Sequence, residues 1–238
     1  MTHRKTGCCG FPLPKIEYAE CFPVAEVQQT FYEPPMISTL QHWRSLVPSD
    51  FEFTLKAWQL ITHSAKSPTY RRLKTKLTPS ELAQCGSFQM SPVVLRAWER
   101  TWACAEALSA RYVLFQCPAS FNCTPINIEQ MLSFFNTVER RGLIFLWEPR
   151  GDWPEARILS LCRELNLEHV VDPFLARVVT TGLIYFRLHG GKNFRKVFTN
   201  AELQYVAGLI PAGRPAYIMF NNISMLNDAT RFASGQFQ

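Results

Sequence analysis

Short apolar runs typical of β-strands alternate along the chain with longer segments of helical periodicity. A strand followed by a helix, repeated many times, places the strands parallel and joins them by right-handed crossovers. The pattern therefore indicates an α/β fold. We predict eight strands, over Thr6–Cys9, Val24–Gln28, Phe51–Lys56, Arg111–Gln116, Leu143–Glu148, Glu168–Val171, Leu183–His189 and Ala216–Asn221.

The segments between these strands carry the start signals and apolar stripes of helices. Ser38–Gln41 and Thr199–Glu202 both fit a capping box, and Thr78–Pro79 places a proline at the first helical position. The segments 92–110 and 154–166 show apolar residues every three or four positions, as expected for helices packed on a sheet.

Eight strand–helix units fit one (β/α)₈ barrel of TIM type spanning residues 1–238. An open doubly wound sheet is the alternative, but neither GxGxxG nor GxxxxGK[ST] follows any predicted strand. A long basic insertion loop at 64–91 interrupts the alternation of strands and helices. It is either a functional loop or a basic loop that is exposed to solvent without a function. Its cations include Lys66, Arg71, Arg72, Lys74 and Lys76.

Polar residues occupy the carboxyl ends of most predicted strands, on the side that faces the barrel interior. Glu148 shares its parity with Ile144 and Leu146, whereas the alternate residues of that strand are large and apolar. A polar pocket at the barrel mouth is therefore predicted, with buried ion pairs of Glu26 with Lys56 or Glu148 with Arg187 as the alternative. The same alternation directs inward Glu26, Gln28, Thr54, Lys56, Gln116, Asp172, Tyr185, Arg187, His189 and Asn221.

Composition narrows the class of function. The chain is 47% hydrophobic and 18% charged, which suits a folded globular protein. Its 25 lysines and arginines exceed its 19 acidic residues by six, which permits an anionic partner. No run is long enough for a membrane helix, and no apolar signal segment follows the start. We therefore expect a cytoplasmic protein with no membrane partner, whose eight cysteines are reduced thiols.

The chemistry of the pocket is less narrowly defined. Glu148 is a candidate general acid or base, with Lys56, Arg187 and His189 as electrostatic partners. We predict no cofactor. A divalent metal held by His63, His189 and the inward acids is the alternative, although no HxH or HExxH spacing favours it. Gly190-Gly191-Lys192 follows the seventh strand, where barrels often bind phosphate, although a simple turn is also consistent.

Motifs along nearly the whole chain resemble the YecE-like TIM-barrel family, a family of unknown function (DUF72). The opening Gly7–Phe11 and the pair Gln28–Gln29 depart from the family pattern. These departures bear on the identity of the substrate more than on the fold. The matching motifs are Val24–Tyr32, Phe53–Ala57 with Ile61–His63, Val113–Phe121, Glu148–Arg150 with Trp153, Tyr185–Gly190 and Phe220–Asn222. The resemblance implies a (β/α)₈ barrel whose site comprises Glu26, Tyr32, Lys56, His63, Gln116, Glu148, Arg150, Arg187, His189 and Asn221.

We therefore expect an enzyme, a hydrolase or lyase, that acts on a small anionic substrate containing phosphate or a nucleotide. Two alternatives stay open: a nucleic-acid-binding barrel that uses the basic insertion, and a ligand-binding protein without catalysis. The expected catalytic residues are Glu148, His189, Lys56 and Glu26. The expected substrate-binding residues are Tyr32, His63, Gln116, Arg150, Arg187, Gly190, Lys192 and Asn221.

Overall fold

The computed structural model describes residues 4–191 and 194–235. Within these ranges, eight parallel strands close into a barrel in which each strand pairs with its neighbours in sequence and β8 pairs with β1. The predicted (β/α)₈ fold is confirmed, and strand ends differ from prediction by at most two residues. The strands are β1 Arg4–Cys9, β2 Val24–Val27, β3 Glu52–Lys56, β4 Tyr112–Gln116, β5 Ile144–Glu148, β6 Leu167–Val171, β7 Ile184–Leu188 and β8 Ala216–Phe220.

Helices connect the strands. Across the two described ranges, no helix is both long and apolar enough to cross a membrane. The insertion at 64–91 is not a loop throughout, because it contains a 3₁₀-helix over Pro68–Arg72 as well as α5. The α-helices are α1 Lys15–Cys21, α2 Gln29–Tyr32, α3 Ile37–Ser45, α4 Gln59–Thr62, α5 Pro79–Ala83, α6 Pro92–Leu108, α7 Pro125–Thr137, α8 Glu155–Glu164, α9 Asn200–Gly208 and α10 Met225–Ser234.

The helix start signals are only partly confirmed. Thr199 forms the predicted capping box at α9, and Thr78 forms one at α5, where Pro79 is the first helical residue. The capping box predicted at Ser38 is wrong. The α3 helix already begins at Ile37 with Met36 as its N-cap, so the Ser38 hydroxyl lies inside the first turn.

Two apolar layers leave one part of the barrel for polar groups. Outside the strands, the Trp98 ring of α6 lies 5.2 Å from Phe145 and 6.1 Å from Phe115, between centroids. Inside the barrel, a second buried cluster includes Val24, Leu114, Leu146, Val170 and Met219. The next inward positions toward the carboxyl ends are polar, as the alternation of side chains predicts.

The close pairing of β1 and β2 generates a stability prediction at Gly7. A Cβ on Gly7 would lie 2.1 Å from the carbonyl oxygen of Val24, its partner in the register. Because backbone cannot move aside as a side chain can, we expect Gly7→Ala to lower the free energy of unfolding by about 1–3 kcal/mol or more.

Gly208→Ala is the matched control, since Gly208 ends α9 and a Cβ there would meet open space. We expect it to be neutral or to stabilise by up to about 1 kcal/mol. Urea unfolding measures both variants. Equal stability of Gly7→Ala and the parent protein would contradict the close packing of β1 on β2.

Candidate active site

A buried arginine joins two carboxylates across the barrel interior. Arg187 of β7 donates from Nε and Nη2 to Glu26 of β2, at 3.1 and 2.8 Å, and from Nη1 to Glu148 of β5, at 2.5 Å. Glu26 and Arg187 are fully buried, and Glu148 is 2% exposed. The guanidinium thus uses three donor nitrogens to hold both acids. Of the two ion pairs considered from the sequence, Glu148–Arg187 forms, whereas Glu26 pairs with Arg187 and not with Lys56.

The Glu148 carboxylate accepts four hydrogen bonds. Oε2 accepts from Arg187 and from Gln116 Nε2, and Oε1 accepts from Arg150 Nη1 and His189 Nε2, the last three at 3.0 Å. Burial would raise the pKa of Glu148, but Arg187, His189 and Arg150 together hold it well below its usual range. A carboxylate that stays ionised and fully bonded is a poor proton carrier. The acid–base role expected of Glu148 therefore does not suit this geometry, and Glu148 instead positions its donors.

The Glu26 carboxylate, like that of Glu148, accepts four hydrogen bonds. In addition to Arg187, its carboxylate accepts from the Tyr185 hydroxyl at 2.9 Å and from the Gln28 side-chain amide. The Tyr185 hydroxyl lies 2.8 Å from Thr54 Oγ1, so the network continues to β3. Glu26 therefore has no free direction toward a substrate, which argues against the catalytic role expected of it.

His189 contacts four side chains at the mouth. Its Nε2 lies 3.0 Å from Glu148 Oε1 and 3.1 Å from Arg150 Nη1, and Asn221 Nδ2 lies 3.1 Å from its Nδ1. Its backbone N–H donates to Asp172 Oδ2 at 3.1 Å. Asp172 Oδ1 also accepts from the backbone of Phe174. Asp172 therefore fixes the ends of β6 and β7 through backbone hydrogen bonds.

Lys56, at the end of β3, has no carboxylate partner within 4.0 Å in the part of the chain that the structure describes. Its Nζ donates to Gln116 Oε1 at 2.7 Å and lies 3.8 Å from the centroid of the Phe31 ring. Burial and the charge of Arg187 lower the pKa of Lys56 to about 7, although Glu26 and Glu148 oppose the shift. A substantial fraction of this amine is therefore uncharged near neutral pH.

An open cavity of about 630 Å³ lies at the carboxyl ends of the strands. Glu26, Glu148, Arg187 and Gly190 are not on its wall, and Lys192 lies outside the described residues. The structure thus brings most of the expected binding residues to one mouth, above a buried layer that contains the two acids. The expected residues on the wall are Tyr32, Lys56, His63, Gln116, Arg150, His189 and Asn221.

The insertion contacts one side of this mouth. The Tyr70 hydroxyl donates to the His63 carbonyl oxygen at 2.8 Å, and the Arg72 guanidinium lies 3.5 Å from the centroid of the Tyr32 ring. His63 Nδ1 pairs with Thr62 Oγ1 at 2.8 Å. Burial and Lys56 lower the pKa of His63 to about 3, so its imidazole is uncharged at neutral pH.

Sequence reasoning missed several residues on the cavity wall. Cys9 ends β1 on the inward parity, with Sγ 3.8 Å from Arg187 Nη2, and its position at a strand end could have identified it. Burial, with Glu26 nearby, raises the pKa of the Cys9 thiol well above its usual value, so it stays protonated. Phe194, Arg195 and Asn222 lie in loops that no periodicity marks.

The donors at the mouth do not fit a divalent metal. Within residues 4–191 and 194–235, no group of three or more His, Cys, Asp or Glu side chains is arranged to hold one. Glu26 and Glu148 both bind Arg187, whose charge would repel a second cation between them. His189 Nε2 is likewise directed at Glu148.

The closed parallel barrel and the polar mouth define the class: a TIM barrel with a candidate site at its carboxyl-terminal face. A family model described as "Protein of unknown function DUF72" matches residues 16–235. The chain therefore belongs to the DUF72 family, which confirms the resemblance inferred from its motifs. No protein with a curated description matches it.

Solved structures agree with this fold. A DUF72 family protein from Enterococcus faecalis V583 is 20% identical, covers 99% of this chain and 98% of its own, and has a TM-score of 0.73. A DUF72 family protein from Thermotoga maritima MSB8 is 18% identical over 99% of both chains, with a TM-score of 0.65. A xylose isomerase domain containing protein from Salmonella typhimurium LT2 is 12% identical over 99% of this chain and 98% of its own, with a TM-score of 0.60. At these identities the similarity shows the fold alone.

The shared arginine generates a stability prediction with a pH signature. We expect Arg187→Met to lower the free energy of unfolding at pH 7 by about 3–5 kcal/mol, because two buried carboxylates lose their cation. In the parent protein Glu148 has a depressed pKa. Its stabilisation is therefore present above the usual value of 4.5 and is lost as the pH falls below it. In the variant, the buried Glu148 carboxylate without Arg187 takes up a proton more readily as the pH falls from 7, so the deficit should shrink toward pH 4.

Arg177→Met is the control, since Arg177 and Glu155 form a pair at 2.7 Å with side chains 80% and 51% exposed. Urea unfolding between about pH 4 and pH 7 should show no resolvable change in stability for this variant. A deficit for Arg187→Met that is equally small, or that stays constant with pH, would contradict the shared-arginine account.

Proposed function

We propose that this barrel is an enzyme whose small anionic substrate binds in the cavity at its mouth. The observation that carries the proposal is the separation of charge around that cavity. Lys56, Arg150 and Arg195 contribute nitrogen groups to the wall, whereas the Glu26 and Glu148 carboxylates bind Arg187 and do not line it. An anion at the mouth would therefore meet hydrogen-bond donors without facing a carboxylate.

The cavity suits a metabolite. Its volume of about 630 Å³ lies within the ordinary range of small-molecule sites. Apolar side chains occupy part of the wall and would contact the uncharged part of a ligand. They include Pro118, Ala119, Phe194, Ile223 and Met225.

Arg150 is the residue best placed to bind the anionic group. Glu148 holds its Nη1 at 3.0 Å, and the side chain is still 35% exposed. The guanidinium is therefore oriented before a ligand arrives, with donors left for a carboxylate or a phosphate. Lys56 in its uncharged form would accept a proton from the bound substrate.

Nucleic-acid binding is the second candidate, and the position of the insertion favours it. Both carboxylate oxygens of Glu33 bind the Lys74–Thr75 segment, at 2.7–3.1 Å, which holds the basic insertion beside the mouth. Arg72 packs against the Tyr32 ring at this rim, which brings a cation for phosphates and an aromatic ring for bases close together.

Titration calorimetry with inorganic phosphate tests the proposal and separates the two locations. We expect Arg150→Gln to weaken phosphate binding at least about tenfold, because a charge-assisted hydrogen bond contributes about 1.5–3 kcal/mol. Arg72→Gln, the matched arginine variant on the insertion, should change it less than about twofold. The reverse ranking would place the anion site on the insertion. Failure of the parent protein to bind phosphate would overturn the proposal.

A further inference from the structure

We propose that Lys56 is a nucleophile that forms a covalent imine with an aldehyde or ketone group of the anionic substrate. The substrate class is thereby narrowed to small carbonyl compounds that also carry a carboxylate or a phosphate. The inference rests on the proposed function for the anion that brings the compound into the cavity.

The surroundings of Lys56 are unusual for a buried lysine. Lysines with 4% exposure are ordinarily paired with a carboxylate, because burying an unpaired ammonium is costly. The two acids within electrostatic reach are both bound by Arg187, and the described partners of Nζ are the Gln116 amide oxygen and the Phe31 ring. The amine is therefore fixed in position at the cavity wall without an ion pair.

The groups facing Lys56 from each neighbouring element set its charge. Arg187 on β7 and burial disfavour the ammonium, while Glu26 on β2 and Glu148 on β5 favour it, and the balance brings the pKa to about 7. Cys9 on β1 is a protonated thiol and adds no charge. His63, beyond α4, is uncharged at neutral pH. About half of the amine then has a free lone pair at pH 7, which is the form that attacks a carbonyl carbon.

The proposed step is balanced without an oxidant or a reductant. The Nζ lone pair forms a bond to the carbonyl carbon, and one amine proton moves to the former carbonyl oxygen to give a carbinolamine. Uptake of one further proton from solvent lets this hydroxyl leave as water while the carbon–nitrogen double bond forms. The product is a protonated imine that retains one N–H.

The site also suits the charge that this step creates. The imine nitrogen is cationic, and it forms next to the face of the Phe31 ring and the Gln116 oxygen, both of which attract positive charge. Gln116 is itself oriented by donating to Glu148 at 3.0 Å. The same neighbours that position the neutral amine therefore stabilise its cationic product.

Reductive trapping tests the proposal. The full-length protein is incubated at pH 7 with glyoxylate, a small anionic aldehyde, and sodium cyanoborohydride, and the modified lysines are identified by peptide mass spectrometry. We expect Lys56 to be labelled at least about tenfold faster than the exposed Lys66, Lys74 and Lys76, with a rate that rises with pH around a midpoint near 7. Lys56→Arg should remove this fast label, and Lys66→Arg should leave it unchanged.

Phosphate binding measured on the same preparation separates the two proposals. Phosphate binding with no preferential labelling of Lys56 would overturn the imine and leave the anion site standing. Preferential labelling of Lys56 with no phosphate binding would overturn the anion site and the anionic substrate class. Fast labelling of Lys56 that becomes slower when phosphate is added would support both the imine and the anion site.

Discussion

The arrangement of this barrel depends on one guanidinium shared between two buried carboxylates. Arg187 takes Glu26 and Glu148 from opposite sides of the interior, and neither acid retains a free oxygen direction toward the cavity. The acids thereby become fixed acceptors that orient Gln116, Arg150 and His189. Of these three side chains, Arg150 keeps guanidinium donors at the mouth, and the two carboxylates stay in the layer beneath.

The same pairing accounts for the state of Lys56. A carboxylate beside an ammonium would ordinarily raise the pKa of the lysine. Here both carboxylates bind the Arg187 guanidinium, whose planar set of donors matches a carboxylate better than an ammonium does. Lys56 is left with a neutral amide, an aromatic ring and the repulsion of Arg187, and its pKa falls. A buried ion pair adds little stability compared with well-packed apolar residues, so we attribute its value to positioning the groups around the cavity.

Much of this could be predicted from the sequence, because side-chain parity along a strand is a local property. The eight strands and the inward direction of Glu26, Lys56, Glu148 and Arg187 follow from alternation alone. Parity does not say which inward residues meet, since that depends on strand stagger and on side-chain reach across the barrel. Parity allows a Glu26–Lys56 pair as readily as a Glu148–Arg187 pair, whereas in the structure Arg187 binds both acids. Glu148, the expected proton carrier, is a fixed acceptor.

The positions of the loop residues could not be predicted from side-chain parity. Phe194 and Arg195 line the cavity from a connection without helical or strand periodicity. Tyr32 contacts Arg72 of an insertion whose short helices lack an apolar stripe.

The central claim, that Arg187 occupies both acids and leaves Lys56 without an ion pair, is tested most directly by NMR titration of isotope-labelled lysine side chains. The account predicts one resonance, absent in Lys56→Arg, that titrates near pH 7. Titration of every lysine near the ordinary value of 10.5 would contradict it.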